Sequence, residues 1–166
     1  MTLTVADLTV TGDQLRAAVG TFPSGVTVVT TLKEDGSDVG LTVSAFSSLS
    51  LEPAMVVLAV DNGSTSLPYL TVGGPIGVSV LSEGQGGVAY QFSRRGIDRF
   101  EGVGIHRRTH GVATIDGAAA WFAGTIAGAF PGGDHTILTV LVEDCGTLEE
   151  ARPLLYQRGQ VHDWVI

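Results

Sequence analysis

Short apolar segments separated by turns rich in Gly and Asp run through most of the chain. GVTVVTTL at 25–32 has the β-branched content of a strand, and EDGS after it predicts a hairpin turn into VGLTVSAF. AMVVLAV at 54–60 is a short continuous apolar run, which is the pattern of a strand buried on both faces. PIGVSVL at 75–81 predicts a further strand. The first half of the chain is therefore expected to consist mainly of β-hairpins.

The second half of the chain has two long apolar segments around the turn PGGDHT. Residues 118–130 and 136–145 predict paired strands, because Gly and Asp supply the backbone conformations of a tight turn. That turn does not require the imidazole of His135 at the start of its second strand. Cys145, at the end of an apolar run, is expected to be a buried structural thiol. PLLYQRGQVHDWVI predicts a last hairpin that turns at residues 157–159.

Short helices are expected beside the strands. Asp13 is predicted to cap the first helix, whose apolar residues follow the i, i+3, i+4, i+7 spacing. These apolar residues are Leu15, Ala18, Val19 and Phe22. Helices are also predicted around 64–71 and over 83–95. Because hairpins dominate and no regular βαβ alternation occurs, the predicted fold is mainly β, a closed or split antiparallel barrel with two or three short helices.

Length and composition favour one domain, since the chain has 166 residues, of which 44% are hydrophobic and 16% charged. Residues 1–11 are expected to form a flexible N-terminal arm and residues 12–166 the domain. The N-terminus lacks the basic and apolar regions of a signal peptide, and no apolar stretch is long enough to span a membrane, which predicts a cytoplasmic protein. The formal charge of −8 disfavours nucleic acid and anionic membranes as partners.

Five of the nine Lys and Arg residues fall in one short window of the chain. They are Arg94, Arg95, Arg99, Arg107 and Arg108. A local basic cluster in an acidic protein suits a phosphorylated small molecule, but it is equally compatible with a solvated loop that happens to be basic. The residues alone leave both interpretations open.

Several familiar catalytic patterns are absent from the sequence. It contains no G-x-S-x-G elbow, no H-E-x-x-H motif, no P-loop and no G-x-G-x-x-G fingerprint. His106 and His110 are four residues apart, as two metal ligands on one helical face would be. Their segment GIHRRTHG has no helical periodicity, so a surface loop is the favoured interpretation and no metal site is predicted.

The richest polar feature is LTVSAFSSLSLEP at 41–53, interpreted as a loop before a buried strand. Its hydroxyls and free backbone amides suit the polar edge of a flat heterocycle or a phosphate. The same hydroxyls also satisfy local turns, and the residues alone favour that simpler interpretation. Ser64 and Ser66 precede the helix predicted around 64–71, where they are expected either to cap it or to share its N-terminus with a phosphate.

Six segments follow one another in a fixed order along the chain. They are VGTFPSGVTVVTT, GLTVSAFSSLSLEPAMVVLAV, IGVSVLSEGQ, DRFEGVG, GGDHTI and PLLYQRGQ. In this order they resemble the flavin reductase-like family, the small NAD(P)H:flavin oxidoreductases that supply reduced flavin to two-component monooxygenases. The resemblance implies an FMN-binding split barrel, a homodimer, a monooxygenase partner, FMN or FAD as the flavin, and NADH or NADPH as cosubstrate.

The resemblance also implies where the flavin lies. Its ring would be held by the segment 42–48, largely through main-chain groups at Ser44, Ala45 and Phe46. The residues implied to bind the flavin are Gly25, Val26, Thr42, Ser44, Ala45, Phe46, Ser47, Ser48, Ser64, Ser66, Phe92 and Arg99. Those implied on its phosphate and ribityl side are Ser47, Ser48, Ser64 and Ser66.

A role for His135 follows from the same resemblance, because the histidine of the GDH turn contacts the nicotinamide in the family. His135 is thus the implied catalytic residue, acting by positioning that substrate together with Arg99, and Tyr156 is implied near the same pocket. Hydride transfer is the reaction of the cofactors themselves, so the protein mainly supplies orientation. Val161 stands where relatives often have an aromatic residue, and His162 or Trp164 is expected to substitute for it.

Two other functions remain open on the sequence. One is a split-barrel flavoprotein that holds its flavin tightly and acts on another substrate. The other is a non-enzymatic carrier of flavin or haem, against which the GDH turn argues, since a carrier has no need to bind nicotinamide.

Overall fold

The computed structural model describes residues 9–163, in which short helices accompany a large antiparallel sheet. The α-helices are α1 (Gly12–Val19) and α2 (Gly86–Ser93). The strands are β1 (Ser24–Gly25), β2 (Thr27–Leu32), β3 (Asp38–Val43), β4 (Phe46–Leu51), β5 (Ala54–Asp61), β6 (Pro75–Val80), β7 (Ile105–Arg107), β8 (Ala113–Ile115), β9 (Ala120–Gly132), β10 (His135–Thr147), β11 (Leu155–Gln157) and β12 (Gln160–His162). Single 3-10 turns lie at Leu67–Tyr69 and Thr109–Gly111. The expected arm at 1–11 falls largely outside the described residues.

The main sheet has seven strands in the order β3-β2-β6-β9-β10-β5-β4. Its two edge strands, β3 and β4, follow each other directly in the chain and are joined only by Ser44 and Ala45. Three Cα steps separate Val43 from Phe46, so the edges approach within about 11 Å at this link. The sheet must therefore curl into a barrel, and because β3 and β4 do not pair with each other, the barrel stays split. This confirms the predicted fold class.

The long hairpin β9–β10 forms the back of the barrel. Its turn consists of Gly133, with φ of +72°, and Asp134, as the GGDHT segment predicts. The pairing register shifts at 139/140 and again at 142/144, which marks β-bulges that bend the strands. Gly124 lies beside the second bulge, where a Cβ would come within 2.0 Å of the Leu141 carbonyl oxygen. Only a glycine therefore allows the two strands to approach this closely.

Two apolar clusters fill the interior. The first lies inside the curled sheet and includes Val29, Leu58, Ile76 and Leu138, all essentially inaccessible to solvent. The second lies between α2 and the strands β11 and β12, and Val161 packs against it. Val161 thus has an apolar role of its own. Of the two residues expected to substitute for the missing aromatic one, His162 is exposed on β12 and Trp164 lies outside the described residues.

Two expectations about the strands were wrong. The run at 54–60 is not buried on both faces, because side chains of β5 alternate between the first core and a half-exposed outer face. The segment 41–53 is not a loop: it contains the end of β3 and all of β4. Ser47 and Ser48 of β4 are exposed on an edge strand, where polar residues protect the unpaired backbone. Polar composition suggested a loop although the backbone is extended.

The helices and the single cysteine also differ from expectation. The cap of α1 is Thr11, not Asp13, and Thr11 forms a reciprocal capping box with Gln14. The predicted helix at 64–71 is only one 3-10 turn, and the one at 83–95 is shortened at both ends to α2. Cys145 is exposed, because the end of β10 extends beyond the apolar core.

Candidate active site

Two chambers meet at the split in the barrel. The larger, about 1150 Å³, is walled by α1, by the outer face of β5 and by the end of β11, and we call it the apolar chamber. The smaller, about 250 Å³, lies between β3, the segment after β5 and the end of α2, and we call it the polar chamber. Ser44, Ala45 and Ala59 line both chambers. The link between the two edge strands is thus also the wall between the chambers.

The backbone of this link has unused hydrogen-bond donors. The carbonyl of Ala45 accepts from the amide of Ala59 at 3.0 Å, and the amide of Phe46 donates to the carbonyl of Ser44 at 3.0 Å. Within residues 9–163 the amides of Ser44 and Ala45 have no hydrogen-bond partner. Two backbone N–H groups are therefore available to a ligand where neither edge strand pairs, whereas the Phe46 amide is not.

Arg99 is the most firmly held cation of the polar chamber. Its Nη1 donates to the carbonyl oxygen of Gly40 at 2.6 Å and to the hydroxyl of Ser66 at 3.0 Å, and its Nε donates to the carbonyl of Arg94 at 2.7 Å. Burial lowers the pKa of Arg99, and the nearby charge of Arg95 lowers it further. An anion in the chamber would offset both effects.

The basic cluster of the sequence divides between two places in the fold. Arg95 also lines the polar chamber, and its Nη2 donates to the carbonyl of Gly63 at 3.1 Å. Neither Arg95 nor Arg99 pairs with a carboxylate among the described residues. Arg107 instead makes a bidentate pair with Asp38, and Arg108 stacks 3.8 Å from the Trp121 ring centroid. Of these four arginines, only Arg95 and Arg99 line the polar chamber and can bind a ligand in it.

His135 lines the polar chamber near its boundary with the apolar one, since Ile137, two residues on along β10, lines the apolar chamber. Its Nδ1 lies 2.7 Å from a carboxylate oxygen of Asp134, and its side chain is 41% exposed. The hydrogen bond from His135 lowers the pKa of Asp134. The carboxylate orients the ring and leaves Nε2 without a partner in the described part of the chain.

Aliphatic and aromatic side chains, among them Phe22, Val57 and Tyr156, form much of the wall of the apolar chamber, and the charged residues Arg16 and Arg158 lie beside them. Tyr156 pairs in register with Ser24 in the small sheet β1-β11-β12. The outer face of β5, which the sequence pattern assigned to a second buried face, supplies Val57 and Ala59 to this wall. The apolar run of β5 is thus explained by the chamber rather than by two-sided burial.

Ten of the predicted site residues line one or both chambers. They are Thr42, Ser44, Ala45, Phe46, Ser47, Ser64, Phe92, Arg99, His135 and Tyr156. Two of these are already engaged, because the Thr42 hydroxyl donates to the carbonyl of Ala89 at 2.6 Å and Phe92 packs edge-on against Phe100.

The other four predicted residues, Gly25, Val26, Ser48 and Ser66, line neither chamber. Val26 belongs to the second core, and Ser48 is exposed on β4. Ser66 is buried behind the polar chamber.

The sequence interpretation missed several lining residues. Arg95 was noticed only as a member of the basic cluster, and Ala59 only as part of an apolar strand. The contribution of α1, through Arg16, Ala17 and Val19, had no signal beyond an apolar helix face.

No metal site is present among residues 9–163, where no group of three or more His, Cys, Asp or Glu side chains comes together. His106 pairs with Asp116, and His110 lies 2.8 Å from Glu143. Both histidines are exposed, as expected for a surface segment, but the segment is not a loop, because His106 lies in β7 and His110 in a 3-10 turn. Within the same residues, no helix is long and apolar enough to cross a membrane.

Known proteins are similar to this chain in both sequence and fold. A family model described as a flavin reductase like domain matches residues 19–165. A flavin reductase of Pseudomonas putida is 35% identical over 144 residues, which cover 87% of this chain and 85% of the relative.

The reductase component of 4-hydroxyphenylacetate 3-monooxygenase from Thermus thermophilus is 40% identical over 149 residues, or 89% of this chain and 93% of the relative. The structure of an NADH:FAD oxidoreductase of Streptomyces globisporus, in complex with NAD and FAD fragments, superposes with a TM-score of 0.85 at 31% identity and covers 92% of each chain.

Proposed function

This chain belongs to the family of proteins with a flavin reductase-like domain, and on that premise we propose that it is an NAD(P)H-dependent flavin reductase. In this function it would reduce FMN or FAD and supply the reduced flavin to a separate monooxygenase. The main supporting observation is the pair of unused amides at Ser44 and Ala45, which lies between an apolar chamber and a cationic one. A flavin likewise has an apolar ring with polar edges and an anionic phosphate.

The residues present fit such a ligand. The free amides suit the carbonyl and ring-nitrogen acceptors of the isoalloxazine, and the guanidinium groups of Arg95 and Arg99 suit the phosphate. The apolar chamber has room for two stacked rings, since ligand sites of this class occupy roughly 300–1,000 Å³. When bound, the flavin supplies the redox chemistry by accepting hydride from the reduced nicotinamide.

The chain's own contribution is orientation and electrostatics. The amides of Ser44 and Ala45 would donate to the edge of the flavin ring and would stabilise negative charge there. A neutral His135 that donates its Nδ1–H to Asp134 presents Nε2 as an acceptor, which suits the NH₂ group of the nicotinamide carboxamide. Tyr156 and the aliphatic walls would contact the rings and orient them for the reaction. No protein group has to transfer a proton.

The test is a kinetic grid of FMN and FAD against NADH and NADPH, with oxidation followed at the nicotinamide absorbance. We expect turnover that requires added flavin in at least one combination. Absence of NAD(P)H oxidation with both flavins would contradict the proposal. Protein that keeps one flavin per chain through purification and does not need added flavin would instead support the tightly bound flavoprotein.

A homodimer is part of this proposal. Helix α1 has no buried residue, and its apolar residues Leu15 and Val19 are 57% and 58% exposed. Phe22, just beyond the helix, is 75% exposed. An isologous dimer that covers this surface would remove it from water and enclose the apolar chamber.

Light scattering is expected to give twice the mass of the chain at micromolar concentration. Val19→Glu should shift the protein towards monomer, because a charge would be buried in the interface. Val72→Glu is the matched control, since Val72 is a valine of almost the same exposure, 59%, and lines neither chamber. A wild-type mass equal to one chain would exclude the dimer.

A further inference from the structure

Ser66 differs from the other serines around the polar chamber because it is buried. Only 2% of its surface is exposed, whereas Ser64 is half-buried and lines the chamber. The sequence resemblance assigned both serines to the phosphate side of the flavin. A ligand in the chamber can reach Ser64, but Ser66 is behind the chamber wall.

The Ser66 hydroxyl belongs to a closed set of three polar groups. It accepts a hydrogen bond from Nη1 of Arg99 at 3.0 Å and lies 3.4 Å from the carbonyl oxygen of Gly40, to which it donates. The same Nη1 donates to this carbonyl at 2.6 Å. The Phe92 ring packs closely against Gly40, because a Cβ there would lie 2.5 Å from the ring. The Ser66 hydroxyl and the Gly40 carbonyl therefore together hold Nη1 of Arg99 in place.

The other contact of Arg99 completes its orientation. Its Nε donates to the carbonyl of Arg94 at 2.7 Å, so bonds at Nη1 and Nε fix the plane of the guanidinium. The third nitrogen, Nη2, has no partner among the residues that the structure describes. A freely rotating arginine would lose side-chain entropy on binding an anion, and this one has already lost it.

We propose that Ser66 is a positioning residue, which holds Arg99 so that its free nitrogen, Nη2, points to the phosphate of the flavin. The inference rests on the proposed function, in which Arg99 binds that phosphate. Ser66 therefore does not bind the phosphate itself. It affects phosphate binding only through the side chain of Arg99.

The test compares FMN with riboflavin, which has the same ring but no phosphate. Ser66→Ala should weaken FMN binding about fivefold to tenfold, as for the loss of one ordinary hydrogen bond, and leave riboflavin affinity within about twofold. Ser82→Ala is the matched control, because Ser82 is also buried, donates to the carbonyl of Gly117 at 2.7 Å and lines neither chamber. This control should leave the ratio of the two affinities unchanged.

A double-mutant cycle separates positioning from direct contact. If Ser66 acts only through Arg99, adding Ser66→Ala to Arg99→Gln should cause no further loss of FMN affinity. An additive loss would show direct phosphate binding, and an equal loss for FMN and riboflavin would show a general structural role. Either result overturns the inference.

Two further outcomes are distinguishable. If the wild-type protein binds FMN no better than riboflavin, the chain has no phosphate site of the kind proposed. This result would overturn that part of the proposed function and the role of Ser66 together. A wild-type preference for FMN that Ser66→Ala preserves would overturn the inference alone. Should Ser66→Ala not fold, Ser66→Cys keeps the side-chain volume but bonds weakly, and it should lower the same ratio to a smaller extent.

Discussion

The polar and apolar chambers share one wall at Ser44 and Ala45 but are held together differently. In the polar chamber, Arg95 and Arg99 are tied to backbone carbonyls by bonds of 2.6–3.1 Å. In the apolar chamber, α1 meets the β11–β12 hairpin through a bond of 2.9 Å from the Arg158 amide to the Gly20 carbonyl and a longer side-chain bond of 3.2 Å. The first chamber is small and its cations are held by several hydrogen bonds, whereas the second is more than four times as large.

This difference suits a protein that holds the phosphate end of the flavin in the polar chamber. The nicotinamide would then bind and leave through the apolar chamber. Preorganised donors reduce the entropy lost when the phosphate binds. An open apolar wall allows a second ring to stack and leave. If the two chambers bind different parts of the ligands, substitutions in each chamber should affect different ligands. If they form one site, substitutions in either chamber should weaken the binding of all ligands alike.

The largest effect is expected at the shared wall. Ala45→Pro removes one of the two unused amides and restricts the backbone of Ser44 before it. We expect at least about a hundredfold loss of flavin affinity, since both the donor and the shape of the link change. Fluorescence titration measures the affinity, and circular dichroism confirms that the fold is retained.

Ala45→Gly is the control for this change, because it keeps the N–H and should retain most of the binding. A folded Ala45→Pro protein that bound FMN with wild-type affinity would show that the wall amides do not contact the flavin.

An intermediate effect is expected in the polar chamber. Arg99→Gln should weaken FMN binding by about tenfold to a hundredfold, as loss of a charge-assisted bond costs roughly 1.5–3 kcal/mol. Riboflavin should be affected far less, because it has no phosphate to lose. Equal losses for the two ligands would contradict the separation of the chambers. Arg107→Gln is a suitable control, since Arg107 pairs with Asp38 away from both chambers.

The smallest effect is expected at the boundary between the chambers. His135→Ala should raise the KM for NAD(P)H by an amount equivalent to about 1–2 kcal/mol, with flavin affinity nearly unchanged. Stability should change by less than about 1 kcal/mol, because the partly exposed ring contacts mainly Asp134.

Stopped-flow flavin reduction and a melting curve on the same His135→Ala protein test both expectations. A destabilised protein with a wild-type KM would mean that His135 only stabilises the hairpin.

The sequence alone predicted the parts of this protein that depend on neighbours in the chain. The turns at EDGS, GGDH and residues 157–159 were foreseen because Gly and Asp favour the required backbone angles, and the structure has positive φ at Gly36, Gly133 and Gly159. The strands around them followed from apolar segments of the right length. The ordered segments also identified the family, and the resemblance supplied ten of the residues that line the two chambers.

Only the tertiary structure decided which surfaces are covered. A pattern of apolar residues cannot show whether β5 packs against a core or a chamber, why Cys145 is exposed, or that Ser66 is buried behind Arg99. These outcomes depend on contacts between segments far apart in sequence. The clearest case is the link at Ser44 and Ala45, whose amides stay unpaired because curling of the sheet brings its two edges together without pairing them.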